Sequence, residues 1–559
     1  MDTSTATGTA MTRNKHSIPL LCAVSLSALS FNAISQQAIS GSVVNASGAG
    51  VPQSVDQGNS SPDTASRQAI VITPRVKLTE TWSDNVNVGR SQNQKSSGLI
   101  TELAPGINID ARTSRLRAYV DYSLLGQYYT QPSGYSRTQN ALNAFGRLEA
   151  VEDWMFVEFS GVISQQTISA FGTQTPTSSY NNDNSTETAT FRVSPYIRGR
   201  LFSDIDYLLR YNRSTTQASA ARVSDVELSE WAGQIKGGTA FQNLKWSVDA
   251  TQQTADYSLG RKTDAERLYG TATYTLVPQF RVSASAGRES NNYASQEQES
   301  KNTSGYGFDW TPGERTRLSV FKEKRFFGDG HRINFNHRFP LSSVTFSDTK
   351  NVTILPNQFS TVGMGTVFDL FFQICSQQLA NDPTLSANPT LLDIEAARCA
   401  NTLAGLAGAS PNMQLTSSFL SSRATVQRRQ QLAFAIQGAR NVLTVMFNRN
   451  ESQTIMASNA VADDYLLNNI NEIKQTGYSI NLGHKLTPES SLNILATRQN
   501  SVGSGSTSIK TTTTMYQANL ISKLGPKTTG SVGLRRMEFD SSANPYTENA
   551  LIGSISVVF

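Results

Sequence analysis

From Ile70 onward apolar and polar residues alternate with a period of two. In Leu116–Thr130, Leu116, Ala118, Val120, Tyr122, Leu124, Gly126 and Tyr128 fall on one face. Arg117, Asp121, Ser123 and Gln127 fall on the other, with Tyr119, Leu125 and Tyr129 among them. Ile205, Tyr207, Leu209 and Tyr211 likewise oppose Asp206, Arg210 and Asn212, and Leu244, Trp246, Val248 and Ala250 oppose Lys245, Ser247 and Asp249. Ile333, Phe335, His337 and Phe339 oppose Arg332, Asn334, Asn336 and Arg338. Side chains alternate across a strand, so each segment predicts a strand with one apolar and one polar face. In a soluble sandwich the apolar faces would meet a second sheet. In a membrane barrel they meet lipid, and the polar faces line the lumen.

Loop lengths separate these cases. Short turns are expected near Thr113-Ser114, Glu152-Asp153, Ser203-Asp204, Phe241-Gln242-Asn243, Pro278, Pro312-Gly313, Leu341-Ser342, Arg440-Asn441, Pro488-Glu489 and Gly525-Pro526. Longer polar connections, such as 85–97, 170–185 and 457–470, lie between them. This alternation is the signature of periplasmic turns against extracellular loops. The expected fold is all-β: a large up-and-down antiparallel transmembrane β-barrel of about 22 strands over 70–559, with both termini periplasmic. Hairpins recur at about 40 residues, as in a propeller, but no blade motif accompanies them.

The chain ends in an alternating segment in which Leu551, Ile555, Val557 and Phe559 share a face. A terminal strand closing on an aromatic residue resembles the assembly signal of bacterial outer-membrane proteins. The expected partners therefore include the barrel-assembly machinery and outer-membrane lipid.

One region departs from the period of two. Within 357–424, residues 366–379 and 391–406 carry helical stripes, Val367, Leu370, Phe371 and Ile374 in the first and Leu392, Ala396, Cys399, Leu403 and Leu406 in the second. By strand count this helical insertion is an extracellular loop between the fifteenth and sixteenth strands. Two placements stay open: a cap on the surface, or a constriction folded into the lumen.

The start of the chain reads as a signal peptide, residues 1–35. Arg13, Lys15 and His16 form a basic region, Ile18 to Phe31 is apolar, and Ala33-Ile34-Ser35 offers a cleavage site. Its apolar run is shorter than the roughly 20 residues that span a bilayer as a helix. Residues 36–69 read as a flexible periplasmic leader. A plugged siderophore-type receptor would carry a far longer folded N-terminal domain. After cleavage Cys375 and Cys399 remain, and an even pair in an exported chain predicts a disulfide.

Charged residues make up only 16% of the 559, and the net charge is +5. Ser, Thr, Asn, Gln and Gly fill the polar faces instead. The predicted lumen face is biased toward arginine: Arg117, Arg210, Lys245, Arg281, Arg317, Arg332 and Arg338, against Asp121, Asp206 and Asp249. Such charges either pair across strands and stiffen the wall or offer a surface to a hydrophilic or anionic polymer. Basic residues are spread over strand positions, so no nucleic-acid footprint appears. No catalytic site, cofactor site or metal site is expected. Of the mature histidines, His331 reads as a loop residue and His337 as lipid-facing, and no Ser/His/Asp or His/Asp constellation with a carboxylate on the same face is expected.

Three stretches carry a family likeness: Leu78-Thr79-Glu80-Thr81-Trp82-Ser83-Asp84-Asn85-Val86, Ile100-Thr101-Glu102-Leu103-Ala104-Pro105-Gly106-Ile107, and Phe327-Gly328-Asp329-Gly330-His331-Arg332 leading into Asn334 to Arg338. With the overall layout they resemble the PEP-CTERM system-associated outer-membrane protein family from about residue 70 onward. The resemblance implies a barrel in the outer membrane of a Gram-negative bacterium, accompanying exosortase sorting and exopolysaccharide production. It adds exopolysaccharide or its export machinery as expected partners. Two functions follow as expectations: a pore or export component, or a docking barrel that retains surface material without conducting.

Overall fold

The structure is a computed structural model. It describes residues 69–88, 95–130, 136–202, 204–313, 315–354, 424–455, 470–505 and 508–559, with scattered positions between 375 and 420. The expected signal peptide, and all of the expected leader but Ala69, lie outside the described residues.

The alternating segments form 22 strands: β1 (Ile70–Ser83), β2 (Gly98–Arg112), β3 (Leu116–Tyr129), β4 (Ser136–Val151), β5 (Met155–Thr167), β6 (Ser185–Leu201), β7 (Ile205–Ala218), β8 (Val226–Gly238), β9 (Leu244–Tyr257), β10 (Thr263–Val277), β11 (Phe280–Asn291), β12 (Glu299–Gly313), β13 (Thr316–Arg325), β14 (Gly328–Arg338), β15 (Ser342–Thr353), β16 (Thr425–Gln437), β17 (Asn441–Thr454), β18 (Ile470–Lys485), β19 (Ser490–Gly505), β20 (Ile509–Gly525), β21 (Thr528–Ser541) and β22 (Tyr546–Val558). Each pairs antiparallel with its neighbours in sequence. β1 closes the sheet on β22, from Arg75 opposite Val558 to Ser83 opposite Ala550. The chain is thus a closed up-and-down barrel, and closure leaves no unpaired edge, the condition for strands to cross lipid. Strands of 10 to 17 residues match or exceed the roughly 9–11 residues that cross a bilayer.

Cross-strand register carries one parity around the wall. Leu124, Tyr128, Leu209, Trp231, Leu268, Trp310, Leu432, Phe447, Ile480 and Leu534 point outward and are exposed. In water such a girdle would be a large unsatisfied apolar surface, and in a membrane it is the lipid contact. Leu551, Ile555, Val557 and Phe559 share the outward face of the terminal segment, where the Phe559 amide donates to the Pro74 carbonyl at 2.9 Å.

The turns fall where the alternation predicts. At two of them a non-glycine residue takes positive φ, Asp153 and Phe202, both at 54°. Two connections on the long-loop side are short, and in one of them β19 and β20 stand only three residues apart, 506–508. In the other, β13 and β14 are joined by Phe326 and Phe327 alone, with Gly328 at φ 98° next in the chain. Because this turn is so tight, His331 sits inside β14 rather than at a loop. It faces outward and meets Asp348 at 2.9 Å, a carboxylate that also accepts from Arg428 and Gln430. A histidine-carboxylate pair therefore exists, contrary to the sequence expectation. It lies on the outer wall, with its carboxylate already held by two further donors.

Candidate functional site: the barrel interior

The interior is set by what fills it. The segment between β15 and β16 is helical at Cys375, Leu379, Leu392, Ile394–Ala397, Cys399 and Ala400. Cys375, Ile394, Ala396, Ala397 and Ala400 are fully buried. They pack against Tyr119 of β3, Met446 of β17, Leu495 of β19, Met515 of β20 and Met537 of β21. All five wall residues have lumen parity by register. Of the two placements open in the sequence, the described part of the insertion takes the lumen. Its apolar stripe buries against apolar side chains that interrupt the polar inner wall. Glu395 lies 3.9 Å from Arg112, at the periplasmic end of β2, so this segment reaches deep into the barrel.

The expected disulfide is present, with Cα atoms of Cys375 and Cys399 5.8 Å apart. A cross-link over about 25 residues lowers the entropy of the open segment by roughly 3 kcal/mol. The barrel has its own hydrogen-bond ladder, so that contribution is local. Cys375→Ser should leave heat-modifiable migration of the barrel unchanged while making the insertion cleavable by protease. Equal protease resistance in both proteins would show that packing alone holds the segment.

A second segment enters the lumen, where the sequence pattern predicts only an extracellular loop. Residues 168–184, between β5 and β6, cross to the wall of β20–β22 and β1–β3. Tyr180 is 1% exposed and packs among Val86, Val88, Ile100 and Tyr129. Its hydroxyl donates to Glu548 of β22 at 2.5 Å and accepts from Arg535 of β21 at 2.8 Å. Burial pushes the Tyr180 hydroxyl well above its ordinary pKa, so it remains a donor. Arg535 and Glu548, 2.9 Å apart, are 2% and 0% exposed. Ser179 donates to Glu102, Asn544 donates to Thr173, and Thr511 donates to the Ala170 carbonyl. Ala170 packs with Ile470 and Ile473 of β18. The available signal was compositional: Ile168, Phe171, Pro176 and Tyr180 are apolar or aromatic side chains in a mostly polar loop, and each needed a surface.

The predicted lumen residues all point inward by register. Asp121 accepts from Arg75 at 2.7 Å, Arg210 donates to Glu158 at 2.8 Å, and Arg281 stands 4.0 Å from Asp309. Asp249 accepts from Gln234 and Ser247. Arg117 stands directly between Arg112 and Arg147 across the sheet. Among the described residues, Lys245, Arg332 and Arg338 have no carboxylate within ion-pairing distance. Lumen-facing side chains are mostly buried on β3–β6 and β16–β22, beneath the two inserted segments. On β9–β14 they are mostly half-exposed or exposed, with Lys245, Arg281 and Arg332 exposed. The described residues thus leave a one-sided passage whose bare wall is basic. None of them form a group of three His, Cys, Asp or Glu that could hold a metal ion.

A closed barrel with an apolar girdle, a polar interior and strands long enough to cross lipid is a transmembrane β-barrel of the outer-membrane type. No family model matches the chain, and no curated protein matches it. Among solved structures it is similar to the FrpB iron transporter from Neisseria meningitidis (F3-3 variant), at 8% identity and a TM-score of 0.45, over 87% of this chain and 81% of that one. It is also similar to the siderophore receptor PirA from Acinetobacter baumannii, at 9% identity and a TM-score of 0.42, over 87% and 80%. Pseudomonas aeruginosa OccK2 (OpdF) is similar at 6% identity and a TM-score of 0.31, over 87% and 98%.

Proposed function

We propose that the barrel is an outer-membrane conduit of a Gram-negative bacterium, serving exopolysaccharide export beside a PEP-CTERM and exosortase surface system. The observation that carries this reading is the one-sided passage left by the described residues: a wide lumen partly filled by 168–184 and the described part of the insertion, with a basic, more exposed wall on β9–β14. A barrel near 22 strands is too wide for its own side chains to fill, so inserted segments decide what passes. Exopolysaccharide itself enters through the likeness of Leu78–Val86, Ile100–Ile107 and Phe327–Arg338 to that family. Fold alone does not fix a substrate. The outward row Leu551, Ile555, Val557 and Phe559 serves, in this reading, as the signal to the assembly machinery.

A docking barrel is the second reading, favoured by the close packing of the helical segment on the wall. Deleting the gene separates the two. A lost conduit leaves polymer inside the periplasm, whereas a lost dock sheds it into the medium. Unchanged polymer at the surface would reject both readings.

A further inference from the structure

At the periplasmic end of β4–β7, lumen-facing aromatic and guanidinium groups form a stack. Phe156 of β5 and Tyr196 of β6 lie with ring centroids 5.1 Å apart and planes 21° from parallel. The Arg147 guanidinium lies 4.2 Å from the centre of the Phe156 ring, and that of Arg198 lies 4.6 Å from the same centre. Arg210 covers Tyr196 at 4.5 Å. Glu158 pairs with Arg210 at 2.8 Å, among its other contacts. Among the described residues, neither Arg147 nor Arg198 has a carboxylate within ion-pairing distance. In register, Arg147 continues to Arg117 on β3, and Arg117 to Arg112 on β2. The periplasmic rim of this wall therefore carries an arc of arginines, in which Arg112 pairs with Asp110 at 3.2 Å and Glu395 at 3.9 Å while Arg117, Arg147 and Arg198 carry no ion pair among the described residues.

Two guanidinium groups on one ring repel each other, and stacking compensates that only in part. A guanidinium held against an aromatic face keeps N–H edges for a planar acceptor. A guanidinium edge matches a carboxylate in bidentate geometry. Arg117 is exposed and Arg198 half-exposed, while Arg147 is buried behind them. We propose that this arc is a binding site for carboxylate-bearing glycans, at which acidic sugar residues are first engaged from the periplasm. The site names the substrate class for the conduit and rests on that reading for its role in export, though not for its chemistry. A neutral polymer would add no counter-charge to Arg117, Arg147 and Arg198, for which no ion pair is present among the described residues. An acidic polymer supplies a carboxylate at each repeat, and several weak contacts along one chain hold it without trapping it.

The test is equilibrium binding of the full-length purified barrel to oligogalacturonate, with malto-oligosaccharide of equal length as the neutral control. Oligogalacturonate should bind, more weakly as salt rises, and the neutral sugar should not. Arg198→Gln and Arg117→Gln should each weaken binding by about tenfold, the loss of one charge-assisted contact. Arg147→Gln is the riskier variant because its side chain is buried, so heat-modifiable migration must first show a folded barrel. Equal binding of both sugars, or oligogalacturonate affinity unchanged in both exposed-site variants, would overturn the proposal. The conduit reading fails separately. Should gene deletion leave surface polymer unchanged while arginine-dependent binding persists, export is wrong and the site stands. Should polymer stall in the periplasm while oligogalacturonate fails to bind, export stands and the site is wrong.

Discussion

Replacing 169–183 with a short Gly-Ser linker should raise single-channel conductance several-fold in planar bilayers, and removing 357–424 as well should raise it further. The expectation follows from where the segments pack. Ser179 is anchored on β2, Tyr180 on β21 and β22, and Ala170 on β18 and β20, so the loop leaves β5 and reaches past the β1–β22 seam instead of staying over its own strands. Helical residues Ile394–Ala397, Cys399 and Ala400 cover part of the same side. Ion flow is set by the narrowest hydrated section, and each segment removed widens it. The strand ladder closes through β1 and β22 without either segment, so both variants should still fold and shift on heating. Unchanged conductance in the doubly deleted barrel would mean that neither segment lies in the ion path.

Arg535→Leu should release the inner loop. Arg535 and Glu548 are almost wholly buried, with Tyr180 and Ser83 completing the cluster. Removing one partner of a buried ion pair leaves the other charge without compensation, at about 3–5 kcal/mol. The barrel need not unfold to relieve that cost. The loop can swing out and let water reach Glu548. Segment 168–184 contains no Lys or Arg, so chymotrypsin is the suitable probe, with Phe171 and Tyr180 as its sites. Cleavage should appear in Arg535→Leu and be absent in the wild type. Arg535→Met combined with Glu548→Leu should restore much of the resistance, because an apolar pair carries no stranded charge. Protection equal to wild type in the single variant would show that the loop is held by its other contacts.

The barrel was legible in the sequence because a period of two is a local property repeated 22 times. Each strand reports its own parity, and Arg117, Asp121, Arg210, Lys245, Asp249, Arg281, Arg332 and Arg338 take the inward side that the alternation predicts. What fills the lumen was not legible in the same way. The insertion declared helices through Leu392, Ala396 and Cys399, but a stripe does not say which surface covers it. Segment 168–184 has no stripe at all. Its placement depends on Tyr180 meeting Arg535 and Glu548, more than 350 residues away in sequence, and pattern carries no information at that range. The arginine stack was hidden for a related reason. Arg147, Arg198 and Arg210 sit on three different strands, and only register brings their guanidinium groups to Phe156 and Tyr196. His331 lies in a strand instead of a loop because of a single tight turn, in which two residues, Phe326 and Phe327, suffice to reverse the chain.

Whether the inner loop packs inside the lumen can be read from the reactivity of a cysteine placed in it. Ala170→Cys puts a thiol where the native side chain is 1% exposed, against Ile470 and Ile473. Ala543→Cys, in the exposed loop between β21 and β22, is the reference. Both variants are treated as folded barrels with a bulky charged maleimide. The thiol of the Ala543→Cys variant should react promptly, and that of the Ala170→Cys variant should stay unmodified until the barrel is heat-denatured. Labelling of the folded Ala170→Cys barrel at the rate of the reference variant would contradict that packing, because it would place 168–184 outside the lumen and leave the passage without its inner constriction.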